Sequence, residues 1–477
     1  MQILRLIESL VERLPSAISA RLSPIVRAQA HDRATSADQS AAERMAITAF
    51  VVRIISAGIA FLSHVLFARL IGQFDYGIYA FVWVLVVIFG NLSCLGFHTS
   101  LIRFLPLYDS QGNASSYRGL AFASKWIAIG AASGLTILGF AVLFLFGERI
   151  DDYYLVPTVL GLFALPLIAL GDMLDGTARA NGWALTAMKY TYLIRPLLVI
   201  VLMLLAIVCG LEPSATTAML AALLASLITT GIQFFAIQKH LQRRIASTTR
   251  VYEYARWWRF AIPVFFIEGI GFLLTNADVI IVGFYLPPDQ VAIYFAAAKT
   301  IVLMQFVFFA VKSAAGPRFS KLIASGDVAG LNGAAQQIAR WSFWPSLAMG
   351  LALLLVSPWL LMLFGSGFSS GYSLVLILFF GFLTKSAIGP AETLLNMAGK
   401  QFICVWLYAI TFLTNVTLNV ILIPQYGLEG AAIATSLAMT LETILLFTAT
   451  RMTLGIWLTP MPQRNLLPAE DGSANGQ

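Results

Sequence analysis

Gly77 to Thr99 reads GIYAFVWVLVVIFGNLSCLGFHT, a run without a single Asp, Glu, Lys or Arg. Wound as a helix at 1.5 Å per residue, it crosses a hydrocarbon layer of roughly 30 Å. Lipid offers the backbone no hydrogen-bond partner, so an isolated segment must satisfy its N–H and C=O groups internally, as a helix does. The run shows no alternation of period two and is about twice too long for a barrel strand, which excludes the other spanning architecture. Similar runs recur at 46–71, 119–146, 154–177, 186–209, 214–238, 260–285, 291–311, 342–364, 372–397, 403–424 and 428–450. Twelve transmembrane helices are therefore expected. Composition agrees: of 477 residues 59% are hydrophobic and 11% charged, with mean hydropathy +0.83, against roughly 25% charged in a soluble domain.

The same six-helix plan is written twice. An offset of 215 sets Tyr79 on Tyr294, Arg103 on Arg318, Phe104 on Phe319, Leu107 on Leu322 and Trp126 on Trp341. With small indels, Gly171 falls on Gly389, Ala180 on Ala398, and Gly210-Leu211-Glu212 on Gly427-Leu428-Glu429. Connections after even-numbered spans carry the basic residues, among them Arg103, Arg118, Arg179, Arg243, Arg244, Arg250, Lys312, Arg318, Lys321, Arg340 and Lys400. Those after odd-numbered spans hold mainly acids, such as Asp75, Glu148, Asp151, Asp152, Glu212, Asp289 and Glu429. The positive-inside rule then places both termini in the cytoplasm. An even number of crossings per half gives the halves one orientation, related by a pseudo-two-fold axis along the membrane normal.

The expected organisation is an N-terminal extension over 1–45, a first lobe over 46–240, a basic linker over 241–259, a second lobe over 260–450 and a tail over 451–477. In the extension Ile3, Leu6, Ile7, Leu10, Val11 and Leu14 follow helical spacing, as a helix lying on the membrane surface would. His31 to Glu43 has the composition of a flexible linker. Gly130 with Gly134, and Gly427 to Ala432, suit close helix contacts. Pro166, Pro196, Pro263 and Pro390 lie where they would kink helices.

Several chemistries are excluded. No G-x-x-x-x-G-K-[ST] loop is present to cradle ATP phosphates. His31, His64, His98 and His240 are scattered without metal or triad spacing, and Cys94, Cys209 and Cys404 show none either. The extracytoplasmic connections are too short for an outer active site. No enzyme activity, cofactor or metal is expected, and the charge of +7 follows from topology without a nucleic-acid partner.

What remains is a set of ionisable residues inside apolar helices, where each costs about 2.5–3.5 kcal/mol on insertion scales unless it faces protein or water. The cations are Arg53, Lys125, Arg195, Lys299 and Lys385; the acids are Glu268, Asp278, Glu392 and Glu442. Lys299 and Lys385 sit mid-span and rank first as cavity cations, whereas Lys125 can snorkel. Arg195 and Arg53 lie at intermediate depth, with a structural ion pair as the competing reading. Glu268 occupies the position equivalent to Arg53, so an Arg53–Glu268 pair is a candidate gate. Asp278, close to Asn276, is a candidate coupling carboxylate for a proton or a sodium ion.

The stretch Leu66-Phe67-Ala68-Arg69-Leu70-Ile71-Gly72-Gln73-Phe74-Asp75-Tyr76-Gly77-Ile78-Tyr79, followed by Leu101-Ile102-Arg103-Phe104, resembles the first helical junction of polysaccharide exporters, the Wzx-type lipid-linked oligosaccharide flippases. Pro424 to Gly430 resembles the entry to the last helix of that family. The resemblance implies the fold of the multidrug/oligosaccharidyl-lipid/polysaccharide (MOP) superfamily, two six-helix lobes around a cavity that opens alternately to either side. It implies a polyprenyl-pyrophosphate-linked oligosaccharide as substrate, moved between the leaflets of a bacterial inner membrane for polysaccharide biosynthesis. Lys299, Lys385, Arg195 and Arg53 would then hold pyrophosphate or acidic sugars, and Tyr294 or Trp126 could stack on sugar rings. A polysaccharide polymerase and synthesis enzymes stand as candidate partners beside membrane lipid. The alternatives are an ion-coupled drug or organic-cation antiporter of the same superfamily, with an acid-dominated cavity, and a membrane glycan polymerase or ligase.

Overall fold

A computed structural model describes residues 37–245 and 248–460, and among these there is no strand. The chain divides at Val51/Val52 into two units. The described part of the first, 37–51, is helical, so 37–43 begins a helix where a flexible linker was expected; Ala41, Ala42, Glu43 and Arg44 are good helix formers. The amphipathic stretch over 3–14 lies outside the described residues.

The helices are α1 (Ala37–Leu92), α2 (Phe97–Ser110), α3 (Ala114–Phe146), α4 (Asp152–Ala180), α5 (Ala184–Met188), α6 (Arg195–Val208), α7 (Ala215–Arg244), α8 (Tyr254–Tyr285), α9 (Pro288–Val302), α10 (Gln305–Ala324), α11 (Val328–Phe364), α12 (Tyr372–Ala387), α13 (Ala391–Met397) and α14 (Gln401–Leu454). Among the described residues nine helical segments are long and apolar enough to cross a membrane, ten if the bent pair α9/α10 counts as one span. Two of the nine run far beyond a single crossing: Ile54–Ser110 has 57 residues and Gln401–Leu454 has 54.

Both long segments turn back on themselves at a glycine. Gly72 (φ 81, ψ 170) and Gly427 (φ 57, ψ −134) adopt backbone conformations that a Cβ makes costly. Phe67 and Tyr79 would lie about 18 Å apart along a straight helix, yet their ring centroids are 5.1 Å apart. Asn415 Nδ2 likewise reaches Thr435 Oγ1 at 3.5 Å across Gly427. Each expected span thus coincides with a helix, a helix pair or one arm of a hairpin. Helices at the basic end, α7, α10 and α11 above all, run beyond the apolar stretch that hydropathy detects.

Of the expected kinks, Pro390 sits at the break between α12 and α13, and Pro196 opens α6 after a π-turn over Lys189–Ile194. Pro166 and Pro263 lie inside α4 and α8. Gly130 and Gly134 do not mark a helix contact: a Cβ on either meets nothing within 4 Å. The small residues beyond Gly427 do pack closely, with Ala431 and Ala432 fully buried and a Cβ on Gly430 only 2.2 Å from Leu422 O.

The two halves meet along α2 and α8 and again at the acidic end. Phe97 packs on Trp258, and Phe104 on Phe260. At the acidic end Arg69 donates from Nε to Leu363 O at 2.6 Å and from Nη2 to Met362 O. Gln73 Nε2 donates to Asp289 O at 3.2 Å. Gly77 is pressed so close to the second half that a Cβ would lie 1.7 Å from Pro288 O.

Candidate functional site

All elements of the second half contribute to a cavity of about 400 Å³. Glu268 and Asp278 come from α8, Lys312 from α10, Lys385 from α12, Glu392 from α13, and Tyr408, Asn415, Thr435 and Glu442 from α14. Three of the predicted site residues, Lys385, Glu268 and Asp278, thus meet Glu392 and Glu442 in one hollow. Its location differs from the chamber between halves that the sequence led us to expect, and so does its charge. Two ammonium groups stand among four carboxyl groups.

Lys385 is not a free cavity cation. Its Nζ lies 2.8 Å from Glu442, whose side chain is 1% exposed. Lys312 pairs with Glu392, which also accepts from the Tyr408 hydroxyl. These cations neutralise acids that the bilayer interior would otherwise penalise. Asp278 is buried and doubly held: Tyr294 Oη donates to Oδ2 at 2.7 Å and the Val279 N–H to Oδ1 at 2.9 Å. Tyr294 is therefore a fully buried partner of an acid, not a sugar platform. Trp126, the other aromatic candidate, is 59% exposed on the outside of α3 and packs on Phe122.

Glu268 has partners of its own. Thr99 Oγ1 donates to Oε1 at 2.7 Å and His98 Nε2 lies 2.9 Å from Oε2, tying α8 to the first half. The side chain of Arg53 lies outside the described residues, so the Arg53–Glu268 pair has no geometry here.

Lys299 and Arg195 behave differently from Lys385: neither forms an ion pair with a described residue. Lys299 Nζ is 4.8 Å from the Phe295 centroid, and that ring also touches His64 of the first half at 5.1 Å. The Arg195 guanidinium is 5.8 Å from the Trp83 centroid. Trp83 stacks on Tyr79 at 6.2 Å, Tyr79 on Tyr76 at 6.5 Å, and Tyr76 meets Phe295 at 6.1 Å. A ladder of four rings therefore runs between two half-buried cations, one from each half. Arg195 follows the π-turn directly, and such turns are frequent at functional positions. Sequence reading found both cations by depth but missed the ladder, because Trp83 and Phe295 look like any other aromatic in an apolar run. It also missed Asp172, which lies within electrostatic reach of Arg195, and Asp175, paired with Arg179 at 2.8 Å.

Long apolar helices in two halves, with polar groups inside them and a ring-lined seam between them, define a polytopic helical membrane protein. Residues 44–323 match the model of the polysaccharide biosynthesis protein family, and the chain belongs to that family. An uncharacterized membrane protein of Methanocaldococcus jannaschii is 25% identical over 414 residues, covering 80% of this chain and 78% of that protein. Solved structures share the fold. An inward-facing multidrug resistance MATE family transporter of the MOP superfamily aligns with a TM-score of 0.71 at 16% identity, covering 85% of this chain and 98% of that one. The lipid II flippase MurJ, in an inward closed conformation, aligns at 0.67 and 15% identity, covering 85% and 87%. A MOP superfamily transporter from Pyrococcus furiosus, described as having a binding pocket of reverse polarity, aligns at 0.61 and 18%, covering 87% and 96%.

Proposed function

We propose that the protein is a flippase that carries a polyprenyl-pyrophosphate-linked oligosaccharide from the cytoplasmic to the outer leaflet of a bacterial inner membrane by alternating access. In this reading the chain makes twelve crossings, its basic end is cytoplasmic and so are both termini. Family membership supports the polysaccharide context, and one observation carries the site: Arg195 and Lys299, on opposite halves, form no direct ion pair with a described residue and stand at the ends of an aromatic ladder. A pyrophosphate pays a prohibitive desolvation cost in hydrocarbon, and two half-buried cations lower it. Sugar rings present C–H faces to aromatic rings while the polyprenyl tail stays in lipid. Lys385 acts at one remove, holding Glu442 in place, and Arg53 is assigned to the substrate path from its depth alone.

The acid-rich cavity of the second half serves as the coupling site, with Asp278 as the group that takes up a proton or sodium ion and Glu268 as the link to the first half. The same acids favour a second reading, an antiporter of organic cations. Reconstitution into liposomes with a labelled lipid-linked glycan separates the two. The flippase reading expects leaflet transfer that falls about tenfold in each of Arg195→Ala and Lys299→Ala, the scale of one charge-assisted hydrogen bond, and loses its dependence on an imposed ion gradient in Asp278→Asn. Absence of transfer together with gradient-driven uptake of an organic cation would establish the antiporter instead.

A further inference from the structure

A second cavity, about 330 Å³, opens at the basic end of the first half between α3 and α7, with the segment that joins the two halves lying against it. Its charged lining is Arg118, Lys125 and Arg250, and no Asp or Glu lines it among the described residues. Lys125 is only 9% exposed and forms no ion pair with a described residue; its Nζ faces the Phe234 ring at 5.5 Å. An ammonium buried without an ion pair among the described residues, and within electrostatic reach of the Arg250 guanidinium, is costly unless an anion occupies the space. The joining segment helps to build the pocket. Val251 N–H donates to Ser115 O at 3.2 Å, a Cβ on Gly119 would lie 1.8 Å from Val251 O, and the Arg250 guanidinium sits 3.8 Å from the Phe122 centroid. The flank beyond Phe122 and Phe234 is apolar and open: Trp126 is 59% and Phe235 73% exposed. Cations recessed between helices next to a lipid-facing surface are the arrangement that binds anionic headgroups.

We propose that this pocket binds a phosphate-ester anion, with Lys125 as its central ligand and Arg118 and Arg250 closing over it, and that the anion is the headgroup of an anionic phospholipid. The bound headgroup fastens the joining segment to the first half. The site is independent of the transported substrate, since Lys125 and Arg250 take no part in the ring ladder or the second-half cavity.

The test uses the purified full-length chain, stripped of lipid in detergent, and follows both native mass spectra and the thermal unfolding midpoint. Phosphatidylglycerol should leave a retained adduct and raise the midpoint, whereas phosphatidylcholine should do neither. Lys125→Met should unfold no earlier than the parent in phosphatidylcholine, because an uncompensated charge has been removed, and should bind phosphatidylglycerol about fivefold or more weaker, the scale of one cation at the headgroup layer. Arg250→Gln, on the surface segment, should weaken it similarly and serves as the second variant should Lys125→Met misfold. Inorganic phosphate and pyrophosphate form the remaining arm. An equal rise from either alone would replace the lipid by a soluble phosphate anion, and an unchanged phosphatidylglycerol response in both variants would overturn the site altogether.

Discussion

At the scale of single residues, the ion pairs of the second half are the costliest features to disturb. Glu442 is fully buried and Lys385 is its cation among the described residues, so Glu442→Ala leaves an ammonium facing a void. A loss of about 3–5 kcal/mol is expected, the range for breaking a buried pair from one side. Replacing both partners, Lys385→Met with Glu442→Leu, should restore most of the unfolding midpoint, because no uncompensated charge remains. A double variant as unstable as Glu442→Ala would show that packing, not pairing, fixes these residues. Outside the spans, Glu253 gives a pH-dependent counterpart. Burial pushes its carboxyl up, but hydrogen bonds from Ser116, Arg256 and Tyr108 outweigh that and hold it below the ordinary carboxylate range. A carboxyl with a depressed folded pKa adds stability that is complete above its unfolded value of about 4.3 and fades as pH falls through the lower folded one. Glu253→Gln should therefore lower the midpoint at neutral pH and flatten its decline between about pH 5 and 3.

At the scale of elements, the glycines separate turn from helix. Gly72 and Gly427 hold the two hairpin turns in conformations costly to a Cβ, so Gly72→Ala and Gly427→Ala should each lose about 1–3 kcal/mol. Gly130→Ala lies in a helix interior with open space around it and should be neutral or gain up to about 1 kcal/mol. Denaturation midpoints in detergent would rank the three, and a loss at Gly130 equal to that at Gly72 would contradict the assignment. These positions also show what a sequence can disclose. Span positions follow from hydropathy alone, and Gly72 and Gly427 fall in the gaps between expected spans, so the elements were legible almost throughout. Partners were not. Lys385 and Glu442 are 57 residues apart and Lys312 and Glu392 are 80 apart, and depth in a span says that a charge needs company without saying whose. Glu268 shows the same limit: its offset relation to Arg53 suggested one partner, while helix packing gave it His98 and Thr99.

At the scale of the molecule, the halves are fastened to each other at the acidic end, and the proposed alternating access requires that fastening to open. Arg69 spans it with two bonds to the carbonyls that end α11, Gln73 adds one to Asp289, and Gly77 lets the backbones touch. Arg69→Ala removes about 1–2 kcal/mol of exposed bonding from this state, and Gly77→Val makes the contact with Pro288 sterically impossible. Both should shift the population toward separation at that end. Ala80, one turn from Gly77 on the same helix and fully buried, is the place for a reporter. In a background with the exposed Cys209 replaced by Ser, Ala80→Cys should react slowly with a membrane-impermeant maleimide added outside intact cells. Arg69→Ala should speed that reaction roughly five- to thirtyfold, the ratio that 1–2 kcal/mol commands, and Gly77→Val by at least as much. Labelling only after the inner face is exposed would mean that the acidic end is cytoplasmic and the orientation inverted. Unchanged labelling from either side would mean that these contacts are permanent packing and that the halves separate elsewhere.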